Sequence, residues 1–460
     1  MLDNLFNMSD EKLDIKTEFI AGLTTFLAMS YVLGVNPTML ADAGMPATSV
    51  FFSTALAAGI ACIVMGLISK YPVGLAPGMG MNALFTYTVV LGMGLSWNAA
   101  LAAVFVSTLI FFLITITGLR ETIVRIIPKD LKLAIGAGIG LFLAFIGLKG
   151  AGIIVADPAN LVGLGALTSA PALLALIGIL ITIVLYIKKV PASVFIGLII
   201  TAIIGVIFTA AGFGVGGDIF MPALPKEIIS FSFDTTVLFG FASGFGELFS
   251  TNPLDLIMIL FSFLFFIFFD TTGTLISLAQ SAGFPEDENG EFKGIKNAFI
   301  GDAVGGLIGV ILGTSPQTAY VESSTGIGVG GRTGLTAVFT GIFFLIAIVF
   351  SPLILSLFTS PVTACALVMV GILMMSQLKE VEWDNLVSVA AVFATIVMML
   401  LTYSITLGIA FGFVTYAVAA IADGKAKEMH PLVWVLIIIF AIYLFFGLYT
   451  QTFRGFAPKV

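Results

Sequence analysis

Charge is what this chain has least of. Of its 460 residues only 10% are Asp, Glu, Lys or Arg, where a soluble domain carries about 25%. With 59% hydrophobic residues and a mean hydropathy of +1.16, that shortage excludes a soluble globular protein and indicates an integral membrane one. The single histidine, His430, leaves no material for histidine-based metal or catalytic clusters, so neither metal nor cofactor is expected. The two cysteines, Cys62 and Cys365, both fall inside apolar segments. They exclude a disulfide framework and read as packing residues. Basic residues are confined to short loops, so the net charge of −7 offers no surface for nucleic acid. The opening stretch, MLDNLFNMSDEKLDIKTE, is too polar and charged for a cleaved signal peptide, and the first span is expected to be retained.

What is there is long apolar runs. They approach the ~20 residues of a membrane helix and lack the short alternation of outer-membrane strands. Spans are read at 17–36, 47–69, 72–90, 97–118, 131–148, 171–187 and 191–213. Seven more follow at 253–279, 294–313, 315–328, 333–358, 361–378, 385–403 and 404–422. A further apolar stretch, 431–450, either crosses or lies flat. The third and tenth spans are poor helices. One opens Tyr71-Pro72-Val73-Gly74-Leu75-Ala76-Pro77-Gly78-Met79-Gly80, the other is Thr314-Ser315-Pro316-Gln317-Thr318-Ala319-Tyr320-Val321-Glu322. Pro and Gly at that density oppose a continuous helix, and a short extended piece before a half-helix fits both. Such backbone is tolerated in a membrane only when buried in protein or lining a cavity.

Positive charges give an orientation. With the N-terminus cytoplasmic, fifteen Lys and Arg, from Lys12 and Lys16 to Lys425 and Lys427, fall inside, against Lys149 and Lys226 outside. That bias survives only if both broken segments cross. Each broken segment is third in a set of seven, and Asn82 and Glu322, just past the breaks, are 240 residues apart. Seven is odd, so the second set enters the membrane inverted. The expected fold is an all-α membrane protein of fourteen segments, in two inverted repeats at 1–213 and 253–422. Region 214–252 joins them, and 423–460 is a C-terminal amphipathic or extra hydrophobic segment. Paired broken helices of this kind point to a transporter site near the midplane.

Three polar residues are placed to carry chemistry. Asp270 follows fourteen residues, Leu256 to Phe269, of which only Ser262 is polar. Intramembrane acids are costly and functional by default. Asp270 is either a proton-titrating transport residue or a structural carboxylate bonded to Thr271, Thr272 or Thr274. Glu322 stands where the tenth break meets its half-helix. There it either holds the edge of a flat heterocycle or caps the helix. Asn82 either donates to and accepts from a ligand or caps the third half-helix. Gly78 and Gly80 would let the backbone approach a ligand closely. Phe85, Tyr87, Phe268 and Phe269 either stack on a planar ring or serve the core. Asp302 is a weaker candidate expected to pair with a neighbouring span, and Asp255 is expected at the interface. The triplet Asp234-Thr235-Thr236 repeats the one at Asp270 and is read as coincidence. Thr24, Thr25 and Ser30 suit helix packing, with one or two of them lining the site.

Four stretches carry a resemblance. They are Thr17 to Leu27 (TEFIAGLTTFL), Ala76 to Ala83 (APGMGMNA), Phe269 to Thr274 (FDTTGT), and Gly313-Thr314-Ser315 followed by Tyr320-Val321-Glu322-Ser323-Ser324 and Gly330-Gly331-Arg332-Thr333-Gly334-Leu335-Thr336. In this order they resemble the nucleobase:cation symporter family, within it the adenine/guanine/hypoxanthine permease branch. The resemblance implies a core domain (17–118 and 253–358) that shifts, elevator-like, against a gate domain (131–213 and 361–422), in a homodimer of the cell membrane. It also implies substrate contacts at Asp270, Glu322, Asn82 and Thr274, with Val321, Gly80 and Met81 beside them. Thr25, Ser30, Thr271, Ala319 and Tyr320 would line the site. Purine uptake would couple to protons, sodium being the other possibility, with Asp270 or Glu322 carrying the proton. Met81 stands where Leu is common in the branch and Leu84 where Phe is common, which bears on pocket shape. The alternatives are an anion permease on the same architecture, an intramembrane aspartyl protease and a channel. Two acids in the site argue against the first. The absence of a Gly-x-Gly-Asp signature argues against the second, and saturable uptake would separate the third.

Overall fold

A computed structural model describes residue 6 and residues 14–118, 120, 127–286 and 291–453; the side chains of Leu254, Phe269, Asp270, Thr272, Glu428 and 446–453 lie outside that description. The chain begins with α1 (Ile15–Met29) and α2 (Val32–Asp42), then α3 (Ala47–Ser69), β1 (Leu75–Pro77) and α4 (Met79–Ala83), which runs into a π-helical stretch, Leu84–Gly92. Next come α5 (Trp97–Ile116), α6 (Lys129–Gly150), β2 (Ile154–Asp157), β3 (Leu161–Leu164), α7 (Ala170–Ile187) and α8 (Ser193–Ala210). After the connecting region lie α9 (Phe241–Ser250), α10 (Pro253–Ser281), α11 (Ile295–Ile311), β4 (Gln317–Ala319), α12 (Ser323–Gly328) and α13 (Gly334–Ala347). The chain closes with α14 (Ser351–Leu357), α15 (Ser360–Met375), α16 (Leu386–Leu401), α17 (Ile405–Ala422) and α18 (Pro431–Phe453).

The architecture is mostly helical. Among the described residues ten helices are long and apolar enough to cross a membrane, the longest being Ile15–Asp42, which joins α1 to α2. Shorter apolar helices lie at Met79–Gly92, Leu386–Leu401 and Pro431–Phe445. Two antiparallel strand pairs interrupt the helices, one of them within the stretches where short extended pieces are expected. One joins β1 to β4; the other is the hairpin of β2 and β3. The hairpin follows from its own sequence. Two short runs rich in β-branched and apolar residues flank Asp157-Pro158-Ala159-Asn160, and Asp157 Oδ1 accepts from the N–H groups of Ala159 (2.8 Å) and Asn160 (2.7 Å).

The chain forms two compact units. Met1–Gly118 and Leu143–Met369 make the first; Leu119–Phe142 and Val370–Val460 make the second. In the first unit α3 packs against both α11 and α13. Small residues permit the approach: a Cβ on Gly66 would overlap the Gly334 carbonyl. In the second unit α16 and α17 form a tight helical pair, with Ser404 capping α17 through the Leu407 N–H at 3.4 Å. Asp130, in the first turn of α6, accepts from the Ser388 hydroxyl at 2.5 Å. The connecting region contributes α9, whose ten residues span about 15 Å, too short to cross a membrane. It docks on α5, where Asn98 Nδ2 donates to Gly240 O at 2.9 Å.

Candidate functional site

The site is built on two matching arms in the first unit. Each is a three-residue strand followed by a helix: β1 then α4, and β4 then α12. Pro77 and Pro316 deny these segments helical order before each helix begins. The strands pair antiparallel with Leu75 opposite Ala319, Ala76 opposite Thr318 and Pro77 opposite Gln317. Backbone bonds extend the pairing at both ends, Gly78 N–H to Pro316 O (3.2 Å) and Tyr320 N–H to Gly74 O (3.1 Å). The Tyr320 hydroxyl adds a bond to Pro77 O. Because the strands run oppositely, the two helices leave the pair from opposite ends. Their N-terminal N–H groups therefore flank one short ribbon.

That ribbon is wholly buried, and its outer groups are satisfied by side chains of neighbouring helices. Cys62 of α3 donates to Leu75 O and accepts from Leu75 N–H, both at 3.1 Å, so this thiol finishes a strand edge as well as packing. Asp302 of α11 accepts from the Ala319 N–H at 3.2 Å. One partner of that acid is thus a backbone group of the tenth segment.

Asn82 lies inside α4, which begins after Gly78, so it does not cap the helix. It is fully buried and its Nδ2 donates to Asn36 Oδ1 on α2. Asn36 Nδ2 in turn donates to Thr54 Oγ1 (2.5 Å) and Thr314 Oγ1 (3.0 Å). The direction of this chain is fixed at its root. Thr54 spends its only hydroxyl hydrogen on Val50 O (2.6 Å) and must accept from Asn36. Asn36 therefore turns its oxygen to Asn82, and Asn82 turns its own oxygen away. Asn82 Oδ1 is buried with no hydrogen-bond partner among the described residues. A buried acceptor left unpaired costs about 1–3 kcal/mol, so a donor at that position would be bound favourably.

Glu322 occupies the N-cap position of α12 without capping it through its side chain. The carboxylate is 8% exposed and Oε1 accepts from the Tyr31 hydroxyl at 2.9 Å. Tyr31, at the junction of α1 and α2, also sets its ring against Tyr320 at 6.4 Å. Gly74 N–H donates to Ser323 Oγ at 3.0 Å, tying the start of the first arm to the start of α12.

The remaining expected residues divide. Gly80 and Met81 are buried in α4; Ala319 and Tyr320 are buried at the ribbon's end, while Val321 is 40% exposed. Thr25 is buried on α1, and a Cβ on Gly326 of α12 would overlap its Oγ1. Ser30 bonds back to Leu27 O at 2.8 Å, a helix-internal role. Asp270 falls within α10, which packs against α4, β4 and α12, but its side chain lies outside the described residues, as do those of Phe269 and Thr272. Thr271 is buried and Thr274 half-buried on the same helix. Phe268 sits edge-on to Phe111 of α5 and Phe85 is buried, both core roles; Tyr87 donates to Asp42. Sequence reading did not single out Tyr31, Asn36, Thr54 or Thr314. A Tyr and an Asn late in the first span were the available signal.

Comparison with known proteins decides the family. Residues 16–411 match the Permease family, Xan_ur_permease. The chain belongs to that family. Over 97% of its length this permease is 43% identical to the whole of the guanine/hypoxanthine permease PbuG of Bacillus subtilis. It is 39% identical, again over 97% of its length, to 96% of the adenine permease AdeP of Escherichia coli. In fold it resembles the transmembrane domain of the cyanobacterial bicarbonate transporter BicA, with a TM-score of 0.62 at 17% identity, covering 86% of the permease and 97% of that domain. The chain is thus a multi-pass membrane permease and not an enzyme.

Proposed function

We propose that this permease imports purine nucleobases (hypoxanthine, guanine or adenine) in symport with protons. The substrate class is supported by the names of the relatives, which are guanine/hypoxanthine and adenine permeases. The observation that carries the reading is the pair of arms. One presents a buried carbonyl oxygen at Asn82 that has no partner among the described residues, and the other a buried carboxylate at Glu322, each on a helix that starts at the same strand ribbon. A purine edge offers ring N–H donors to such acceptors and a flat body that fits between helix ends. Glu322 has one oxygen on Tyr31 and the other for the base. Asp270, from α10, binds substrate and titrates with the coupling proton, and the two acids could exchange these parts. Thr274, one turn further along α10, contacts the base. Kinship in fold with a bicarbonate transporter does not extend to its substrate, because a carboxylate at the half-helix start repels an anion.

Around this site the chain makes fourteen crossings in two inverted seven-span repeats, with the N-terminus cytoplasmic. Antiparallel pairing of β1 with β4 supports that arrangement, since equivalent arms of inverted repeats enter from opposite sides. The core, 17–118 and 253–358, carries the base past the gate, 131–213 and 361–422, by an elevator-type movement in a homodimer. The test is uptake of radiolabelled hypoxanthine, guanine and adenine in cells lacking their own purine permeases, with and without a protonophore and with and without sodium. Uptake indifferent to collapse of the proton gradient would overturn the coupling. Parent-like uptake by Asp270→Ala or Glu322→Ala would overturn the site.

A further inference from the structure

The helix that carries Glu322 is held at its far end by residues the transport reading does not use. α12 has six residues. Isolated helices shorter than about 12–15 residues are marginal, so outside contacts decide where it lies. Its carbonyl at Ile327 accepts from Arg332 Nη1 at 2.5 Å, and the same nitrogen donates to Gly331 O at 2.8 Å. A cation there suits the negative end of a helix. The backbone N–H of Arg332 donates to Glu18 Oε1 at 3.1 Å, and the Thr336 hydroxyl donates to Glu18 Oε2. Glu18 is in the first turn of α1 and only 3% exposed. Thr336 is the third residue of α13, so this carboxylate also faces the positive end of that helix. Further along α1, Gly326 and Gly331 lie so close that a Cβ on either would overlap Thr25 Oγ1 or Ala21 Cβ.

We propose that Glu18 is a positioning residue for the substrate arm: through the Arg332 backbone and the Thr336 hydroxyl it fixes the turn after α12, and so sets where Glu322 stands. A buried carboxylate is costly unless hydrogen-bonded, and Glu18 receives both of its donors from the turn and helix it anchors. This rests on the reading of Glu322 as a substrate contact.

Two measurements on the full-length protein test it. Hydrogen exchange of the purified permease reads the arm without any substrate; hypoxanthine uptake reads the site. In Glu18→Ala, amides of 323–333 should exchange about ten-fold faster or more, as expected when a clamp on a local unit is lost. KM should rise about ten- to a hundred-fold, the scale of a misplacement of roughly 1 Å in a pre-organised site, with Vmax per molecule in the membrane little changed. Glu18→Gln keeps an acceptor for the Arg332 N–H and should restore most of the KM. Thr336→Val should move both readouts the same way but less, and adding it to Glu18→Ala should cost less than the sum. If Glu18→Ala fails to reach the membrane, Glu18→Gln and Thr336→Val carry the test. Unchanged exchange over 323–333, or a loss confined to Vmax, overturns the proposal. A parent protein that takes up no purine overturns the substrate reading alone, because the exchange result stands without it.

Discussion

The two arms share a backbone plan and hold their polar residues by different means. In the first, α4 continues directly into the π-helical stretch, so Asn82 sits inside a helical run from Met79 to Gly92. Side-chain bonds fix it, through Asn36 to Thr54 and Thr314. In the second, α12 ends at Gly328 and the chain turns through Gly330, whose φ of +111° a residue with a Cβ rarely adopts. Glu322 is held by one bond from Tyr31 and by whatever locks its six-residue helix against α1. A long helix lends its own rigidity to a site residue. A short one has to borrow it from neighbours.

The largest expected effect removes the second arm's carboxylate. Glu322→Ala should lower Vmax/KM for hypoxanthine by about 100-fold, the upper range for losing charge-assisted hydrogen bonds, while membrane abundance stays near that of the parent. Asn36→Ala probes the first arm. It leaves Asn82 Nδ2 without its acceptor and Thr54 and Thr314 without their donor, at about 1–3 kcal/mol for an unpaired buried group. Uptake efficiency should fall about ten-fold. If Asn36→Ala proves neutral, the first arm is not held by its side-chain network and the contrast between the arms fails.

Packing separates the arms next. Gly326→Ala would drive a methyl into Thr25 and the Ala21 carbonyl, and overpacking of this kind costs about 1–3 kcal/mol. The melting temperature of the purified protein should drop. Gly273→Ala on α10 is the control, because among the described residues no atom beyond its own stretch of helix backbone lies within 4 Å of its Cβ position. An unchanged melting temperature for both would mean that α12 is not wedged on α1. Tyr31→Phe is gentler. It deletes one hydroxyl from a retained ring, and a loss of about 0.5–1.5 kcal/mol should raise KM by a factor of roughly 2 to 10.

Much of this was readable in the sequence where the signal is local. The Pro and Gly around Pro77 and Pro316 announce an interrupted helix, because each denies a hydrogen bond or helical order within a few residues. The same locality marks the apolar runs of the ten candidate spans. What lay hidden is pairing across distance. Tyr31 and Glu322 are separated by 291 residues, and nothing in the phase of α1 says which wall a tyrosine at its end will meet. The cap alternative for Asn82 needs a helix that starts just after it; α4 begins at Met79, which puts Asn82 one turn inside. Asp302 is expected to pair with a polar group of a neighbouring span and does so with the Ala319 N–H, but nothing in the sequence says which group it meets. The triplet at Asp234 forms a turn of its own: Asp234 accepts from the Thr236 N–H (3.0 Å) and hydroxyl (2.7 Å) and from Thr48 at the start of α3 (2.7 Å).

That turn supplies the smallest effect and a control on burial. Glu322 with Tyr31 and Asp234 with Thr236 are both carboxylate–hydroxyl pairs, one enclosed and one exposed. The Thr236 hydroxyl, with help from Thr48, holds the Asp234 carboxyl below its ordinary range, because bonds from donors favour the charged form. A folded value below the unfolded one means that the tie contributes while the pH is above the unfolded value of about 4. It is lost as pH falls through the folded value. Amide exchange at 236 and 237, corrected for intrinsic rate, should therefore be flat from pH 7 to about 5 and then rise toward pH 3. In Asp234→Asn the carboxylate is gone and the acid-dependent rise should vanish. Because the Asp234–Thr236 pair is open to solvent, its bonds are screened and the whole-protein melting temperature should hardly move in the variant. A drop as large as that of Gly326→Ala would show that an exposed tie outside the arms matters as much as packing within them.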